Sequence, residues 1–302
     1  MSETGSTYKS GFVAVIGRPN VGKSTLVNNL VRHKVAITSN KPQTTRHRIR
    51  AVLTRENAQV IFVDTPGIHK PKHRLGRRMV DAALDTLNDV DLILFLMEAH
   101  REPGPGDDFI LSYLEKVHTP VFLVINKIDL VAKDRLLPFI DDMTRRFNFA
   151  EVVPVSALNN DNLQRLENLI ISYLPPGPQY YPADIVTDRP DRFIIAELVR
   201  EKVLKLTTQE VPHSVAVVIE QMDTKPNNVV VINATIYVER ESQKAILIGR
   251  GGRMLKEIGR LAREEIESLL GVKVYLELWV KVKPRWREKE GALQEFGLGK
   301  DL

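Results

Sequence analysis

Three short stretches carry the residue types that phosphate and base chemistry require. Gly17-Arg18-Pro19-Asn20-Val21-Gly22-Lys23-Ser24, followed by Thr25, has the spacing of a phosphate-binding loop between a strand and a helix. Its glycines let backbone N–H groups turn towards phosphate oxygens, and the helix start adds a favourable dipole. Lys23 is placed to neutralise the β and γ oxygens, and Ser24 to hold Mg²⁺. In Asp64-Thr65-Pro66-Gly67, Asp64 can reach Mg²⁺ through water, and the Gly67 N–H can meet the γ-phosphate and sense its loss. In Asn126-Lys127-Ile128-Asp129, the Asp129 carboxylate can accept both the ring N–H and the exocyclic amine of guanine. Adenine lacks that pairing, so the acceptors would be left unpaired and ATP rejected.

Ser156-Ala157-Leu158 is a weaker signal, at a point where a loop could back the base. Taken singly, each of these stretches could be an ordinary loop. Four of them in order, each after a strand-like run, resemble the translation-factor-related GTPases. Between the first two lies Lys41-Pro42-Gln43-Thr44-Thr45-Arg46-His47-Arg48. A threonine here would complete the Mg²⁺ shell only while the γ-phosphate is present, which makes the segment a switch. The sequence leaves open whether Thr44 or Thr45 does this, and a basic solvated loop is the plainer reading. The candidate catalytic residues are therefore Lys23, Thr44, Thr45, Asp64 and Gly67.

Ile68 follows the aspartate stretch where many GTPases carry a water-orienting glutamine. The resemblance implies a group with a hydrophobic residue there, so catalysis must recruit something else and intrinsic turnover should be slow. It also implies that Asn20 binds a potassium ion, which would supply positive charge where other systems insert an arginine.

The elements that must position these loops alternate along residues 12–175. Strand-like runs at Phe12–Ile16, Val60–Val63, Leu92–Met97, Val121–Ile125 and Val152–Val155 are separated by amphipathic stretches at Thr25–Arg32, Asp107–Val117 and Asn162–Tyr173. That alternation predicts an α/β fold with a mainly parallel sheet covered on both faces, its ligand at the carboxyl ends of the strands. Residues 175–190 hold five prolines and a glycine, which predicts a linker. Helix, strand, strand, short helix, glycine cluster, longer helix and strand then follow, a small α+β unit. The expected boundaries are 1–178 for the nucleotide-binding domain, 179–190 for the linker and 191–302 for the second domain.

The 302 residues suit two domains, and a hydrophobic fraction of 43% supplies ordinary cores. There are no cysteines, which excludes disulfides, thiolate metal sites and cysteine catalysis. Residues 1–11 are polar and unlike a signal peptide, and the longest apolar runs are too short to cross a bilayer. A soluble, internal protein is expected. The net charge of +5 leans towards an acidic partner without identifying one.

In the second domain, Gly249 and Gly252 form a GxxG loop within Ile246-Leu247-Ile248-Gly249-Arg250-Gly251-Gly252-Arg253-Met254. A helix-ending glycine turn is the commoner meaning of such a pattern. Here the surrounding order of elements is that of a type II KH domain, whose loop clamps about four nucleotides of single-stranded backbone. Overall charge does not carry this, since residues 191–302 hold 19 Lys/Arg against 17 Asp/Glu. The local set does: Lys244, Arg250, Arg253, Lys256 and Arg260 lie in or beside the loop, with Ile248, Gly249, Gly251 and Gly252 as backbone contacts. Trp286 is either a base-stacking or a packing residue.

Across nearly the whole chain the sequence resembles the Era family of bacterial GTPases with a C-terminal KH domain. The resemblance rests on GRPNVGKSTLVN, KPQTTRHRI, FVDTPGIH, NKID, YPADIVTDRPDRF, VERESQKAILIG and LELWVKVKPRW. It implies GTP hydrolysis with Mg²⁺, binding near the 3′ end of small-subunit ribosomal RNA, and a role in maturation of that subunit. It also implies a peripheral association at the inner membrane, and a monomer in the cytoplasm is expected. Two other readings stand beside it: a GTPase of tRNA modification or membrane trafficking, and an RNA-binding scaffold whose nucleotide site only stabilises the fold.

Overall fold

Residues 8–41, 43–68, 74–208 and 211–299 are described in the computed structural model. Pro42 of the basic segment, His69 after Ile68 and both chain ends lie outside them. The chain divides into two compact units. The first holds the described residues up to Ala36, those from Thr45 to Ile68, and Arg77–Asp188; the second holds Ile37–Thr44, residues 74–76 and the chain from Arg189.

In the first unit, β1 (Lys9–Gly17), β2 (Ile49–Arg55), β3 (Ala58–Asp64), β4 (Leu92–Glu98), β5 (Val121–Asn126) and β6 (Glu151–Pro154) form one sheet in the order β2-β3-β1-β4-β5-β6. Only β2 runs antiparallel to its neighbour. Every residue of β3, β4 and β5 is buried, because helices cover both faces. On one face α1 (Lys23–Val31) and α5 (Leu163–Tyr173) bury Leu26, Val27, Leu166 and Ile170. On the other, α2 (Arg74–Asp85), α3 (Pro105–Leu114) and α4 (Leu136–Arg146) bury Val80, Ile110 and Met143. The strand β2 and the helices α2 and α4 add to the elements expected from the sequence.

The Pro-rich stretch is not a free tether. The Val52 N–H donates to the Val186 carbonyl at 2.9 Å, and Ala51 bridges Thr187, so the stretch runs along the outer edge of β2. The buried side chain of Gln59 accepts the Tyr180 and Tyr181 N–H groups at 2.8 and 2.9 Å and donates to the Tyr181 carbonyl at 2.8 Å. Residues up to Asp188 therefore belong to the first unit.

The second unit contains α6 (Asp191–Leu206), β7 (Ala216–Thr224), β8 (Val230–Val238), α7 (Glu241–Ile248), α8 (Arg253–Leu270), β9 (Val274–Val282) and α9 (Glu290–Glu295). Its sheet order is β7-β8-β9, with β8 antiparallel to β7 and parallel to β9. Ile195, Val199, Ile258, Ala262 and Ile266 from α6 and α8 pack with Ile232 and Ile236 of the sheet as one core.

Candidate functional site: an oxygen cluster behind the phosphate loop

The phosphate loop leaves β1 and enters α1, whose first residues are Lys23 and Ser24. Lys23 is buried and its ammonium donates to the Gly17 and Arg18 carbonyls at 3.2 and 3.0 Å. Burial lowers its pKa to about 8, against the pull of Asp64. Asp64 ends β3, is fully buried, and is pushed up to about 6 by desolvation.

Ser24 Oγ donates to Asp64 Oδ2 at 2.7 Å, and Thr45 Oγ1 lies 2.9 Å from Ser24 Oγ and 3.4 Å from Asp64 Oδ2. The other carboxylate oxygen, Asp64 Oδ1, is buried without a hydrogen bond among the described residues. Two hydroxyls and a carboxylate with an unused oxygen are a hard-oxygen donor set of the kind magnesium takes. The residues present fit that ion. Thr44 turns elsewhere: its hydroxyl donates to the Lys41 carbonyl at 2.6 Å. Thr38 and Thr44 belong to the second unit, where the Thr38 N–H donates to Glu201 Oε1 at 2.9 Å and the Arg200 guanidinium reaches the Thr44 carbonyl.

Gly67 passes very close to the phosphate loop. A Cβ built on it would lie 2.8 Å from both Pro19 Cα and Pro19 N, so only glycine allows this approach. Thr65 anchors the turn by donating to the Val15 carbonyl at 2.8 Å, and the Ile68 N–H reaches the Gly17 carbonyl at 3.1 Å. The Ile68 side chain is fully buried.

At the base end, Asn126 Nδ2 donates to the Val21 carbonyl at 2.8 Å, while its Oδ1 accepts Lys127 N–H and Ala157 N–H at 2.8 and 2.9 Å. One side chain thus holds the phosphate loop, its own turn and the loop after β6. Asp129 Oδ1 accepts the Ser156 hydroxyl at 2.5 Å. Leu158 is 73% exposed, so it contributes backbone rather than packing. Asn20 adopts a left-handed φ of 68°. Thr25 follows Ser24 in the first turn of α1 and is half-buried.

Two carboxylates were not visible as site residues in the sequence. Asp107 caps α3 by accepting the Gly104 N–H at 2.9 Å and pairs with Arg18 at 3.1 Å; burial raises its pKa. Glu98, which ends β4, pairs with Lys127. Neither lies in a motif, and no local spacing marks them.

In the second unit, Gly249, Gly251 and Gly252 have φ of 71°, 61° and 76°, joining α7 to α8 through a tight turn. Arg250, Arg253 and Lys256 are exposed, and with half-buried Lys244 they form no ion pair with the described residues. Ile248 and Gly252 beside them are half-buried. Arg260 differs: it is paired with Glu257 and Glu264, each at 2.7 Å, which removes it from the basic set. Trp286 is a packing residue. It is fully buried, donates to the Ser214 carbonyl at 2.8 Å and meets Phe296 edge-on. The exposed aromatics of this unit include Tyr275 and Trp279 on β9, at 59% and 57%.

The pattern of the 50S ribosome-binding GTPase family matches residues 12–127, and that of the KH domain matches residues 210–287. The chain is 45% identical to a single-residue variant of Aquifex aeolicus Era bound to GDP.AlF4-, over 96% of this chain and 99% of that one, with a TM-score of 0.93. It is likewise 45% identical to Era in complex with MgGDPNP and nucleotides 1506–1542 of 16S ribosomal RNA, over 97% and 99%, with a TM-score of 0.94.

Proposed function

Because the chain belongs to the Era family of GTPases, we propose that it is a GTP-hydrolysing switch acting in assembly of the small ribosomal subunit. Its partner is small-subunit ribosomal RNA near the 3′ end, held by the KH domain. The observation that carries the reading is the buried cluster of Ser24, Thr45 and Asp64, with one carboxylate oxygen unused, beside Lys23. A site kept only for structural support would have no need of a buried carboxylate oxygen left without a hydrogen bond.

Ser24, Thr45 and Asp64 would hold Mg²⁺, which neutralises charge on the β and γ phosphate oxygens when bound. Lys23 would exchange the loop carbonyls for those oxygens. Asp129 takes the guanine edge, Asn126 fixes the loops around it, and the Ser156–Leu158 backbone backs the base. The buried Ile68 side chain has no polar atom with which to orient water, so the cationic help comes from elsewhere. A potassium ion at Asn20 is the source favoured here, and equal turnover in potassium and sodium would remove it.

Thr45 shares Asp64 with Ser24, as a residue of the Mg²⁺ shell would. By linkage, RNA must raise GTP affinity by the factor with which GTP raises RNA affinity. Clamping by Gly249–Arg253, with Lys244 and Lys256 beside the loop, supplies backbone contacts more than base readout.

The protein is proposed to be a monomer of the cytoplasm that can sit peripherally at the inner membrane. Among the described residues no helix is long and apolar enough to cross a bilayer.

The test is binding of labelled RNA copying the 3′ end of small-subunit ribosomal RNA, with GDP and with a non-hydrolysable GTP analogue, against a scrambled control. Tighter, selective binding with the analogue, lost in Gly252→Asp, is expected. Equal binding in both nucleotide states would break the switch, and no preference for this RNA would break the partner assignment.

A further inference from the structure

Glu98 ends a strand that carries none of the nucleotide-binding motifs, yet its side chain is only 2% exposed. It lies level with Asn126 across the β4–β5 pair, one residue before Lys127. Its Oε1 takes the Lys127 ammonium, and its Oε2 lies 3.3 Å from Arg101 Nε. The same Lys127 ammonium donates to the Asn20 carbonyl of the phosphate loop at 2.9 Å. The His100 ring stands at the margin of this pair, 4.0 Å from Oε1. The Lys127 ammonium is thus held between a buried carboxylate at a strand end and a carbonyl of the phosphate loop.

We infer that Glu98 is a positioning residue for guanine nucleotide, holding Lys127 extended across the base pocket and, through it, the phosphate loop at Asn20. The inference rests on the guanine site proposed above. A free lysine side chain carries rotamer entropy that nucleotide binding would otherwise have to remove. An ammonium already fixed at both ends loses little more on binding. Arg101 is the exposed partner, at 60%, and lends counter-charge without reaching the loop. Glu98 touches neither phosphate-loop atoms nor the expected base position itself, so its effect passes through Lys127.

The test is the release rate of a fluorescent GDP from the full chain, with KM and kcat for GTP. Glu98→Gln keeps shape and removes charge; it is expected to speed GDP release about tenfold and raise KM while kcat at saturation holds. In a Lys127→Met background the same substitution is expected to add nothing, because the path from Glu98 to the nucleotide is already cut. An unchanged release rate in Glu98→Gln would overturn the inference. So would an effect that persists undiminished in the Lys127→Met background, since Glu98 would then act through the fold. Should Glu98→Gln melt early, Glu98→Asp, which keeps charge and shortens the reach, is read by the same cycle. Failure of the unaltered chain to bind GDP would instead sink the guanine site on which the inference rests.

Discussion

Ser24 Oγ and Thr45 Oγ1 lie 2.9 Å apart, although 21 residues separate them, and Thr44 next door faces the Lys41 carbonyl. Of the two adjacent threonines that the sequence leaves open, Thr45 is the one proposed for the Mg²⁺ shell, because its hydroxyl shares Asp64 with Ser24. Thr45→Ala is expected to lower GTP hydrolysis on the order of 100-fold, as when one charge-stabilising contact is lost. Thr44→Ala should leave turnover within a few-fold of the unaltered chain. Single-turnover hydrolysis with a Mg²⁺ titration separates them, and equal losses would undo the assignment.

The pH response follows from Asp64. Its carboxyl is raised from 3.8 to about 6 by burial, so below that pH the metal-free carboxyl is neutral. Mg²⁺ needs the carboxylate, and affinity for Mg²⁺ should therefore weaken as pH falls through about 6. Stability of the nucleotide-free protein runs the other way for this group. A raised carboxyl pKa favours the folded state below about 4 and loses that contribution as pH rises through about 6. Metal titrations and thermal melts at several pH values should show both trends, and Asp64→Asn should flatten them.

Gly67→Ala places a methyl 2.8 Å from the backbone of Pro19, which cannot yield as a flexible side chain would. The turn must move away from the phosphate loop. Affinity for a non-hydrolysable GTP analogue is expected to fall much more than affinity for GDP. Equal losses by calorimetry would mean that Gly67 serves the fold rather than the γ-phosphate.

The two tryptophans should part company. Trp286 is fully buried and bonded through its indole N–H, so Trp286→Ala is expected to cost about 3–5 kcal/mol. Trp279 is 57% exposed, and Trp279→Ala should stay within about 1 kcal/mol. Urea unfolding of both variants tests this.

On the RNA side, Arg250→Ala and Arg253→Ala should each weaken binding to many sequences alike and lower the salt slope by about 1. Arg260→Ala should change the slope little, because that guanidinium is already occupied by Glu257 and Glu264. A full loss of slope from Arg260 would place the RNA elsewhere.

The nucleotide loops were legible because their chemistry is local: glycines, a lysine, aspartates and an asparagine stand at fixed offsets after apolar runs. The KH order was legible for a similar reason, since helix and strand periods alternate cleanly from Asp191 to Val282. Missed elements have weaker local signals. In β2, Ile49–Arg55, basic and polar residues interrupt the apolar run, and its strand identity comes from pairing with β3. Trp286 stood in a run of basic residues and invited a nucleic-acid reading, whereas its burial depends on Ser214 and Phe296. Glu98 and Asp107 acquire meaning only when the sheet brings Lys127 and Arg18 to them. Arg260 stands beside the loop in sequence, and only the helix brings Glu257 and Glu264 to its guanidinium.

The Gln59 side chain, bonded to the backbone of Tyr180 and Tyr181, changes what an added protease should find. By composition, residues 175–188 are the place to nick the chain. Cleavage needs a length of strand pulled clear into the enzyme's cleft, and here that strand is knitted to a sheet edge and a buried amide. The Pro-rich stretch is a seam, and digestion should spare it until the sheet itself comes apart.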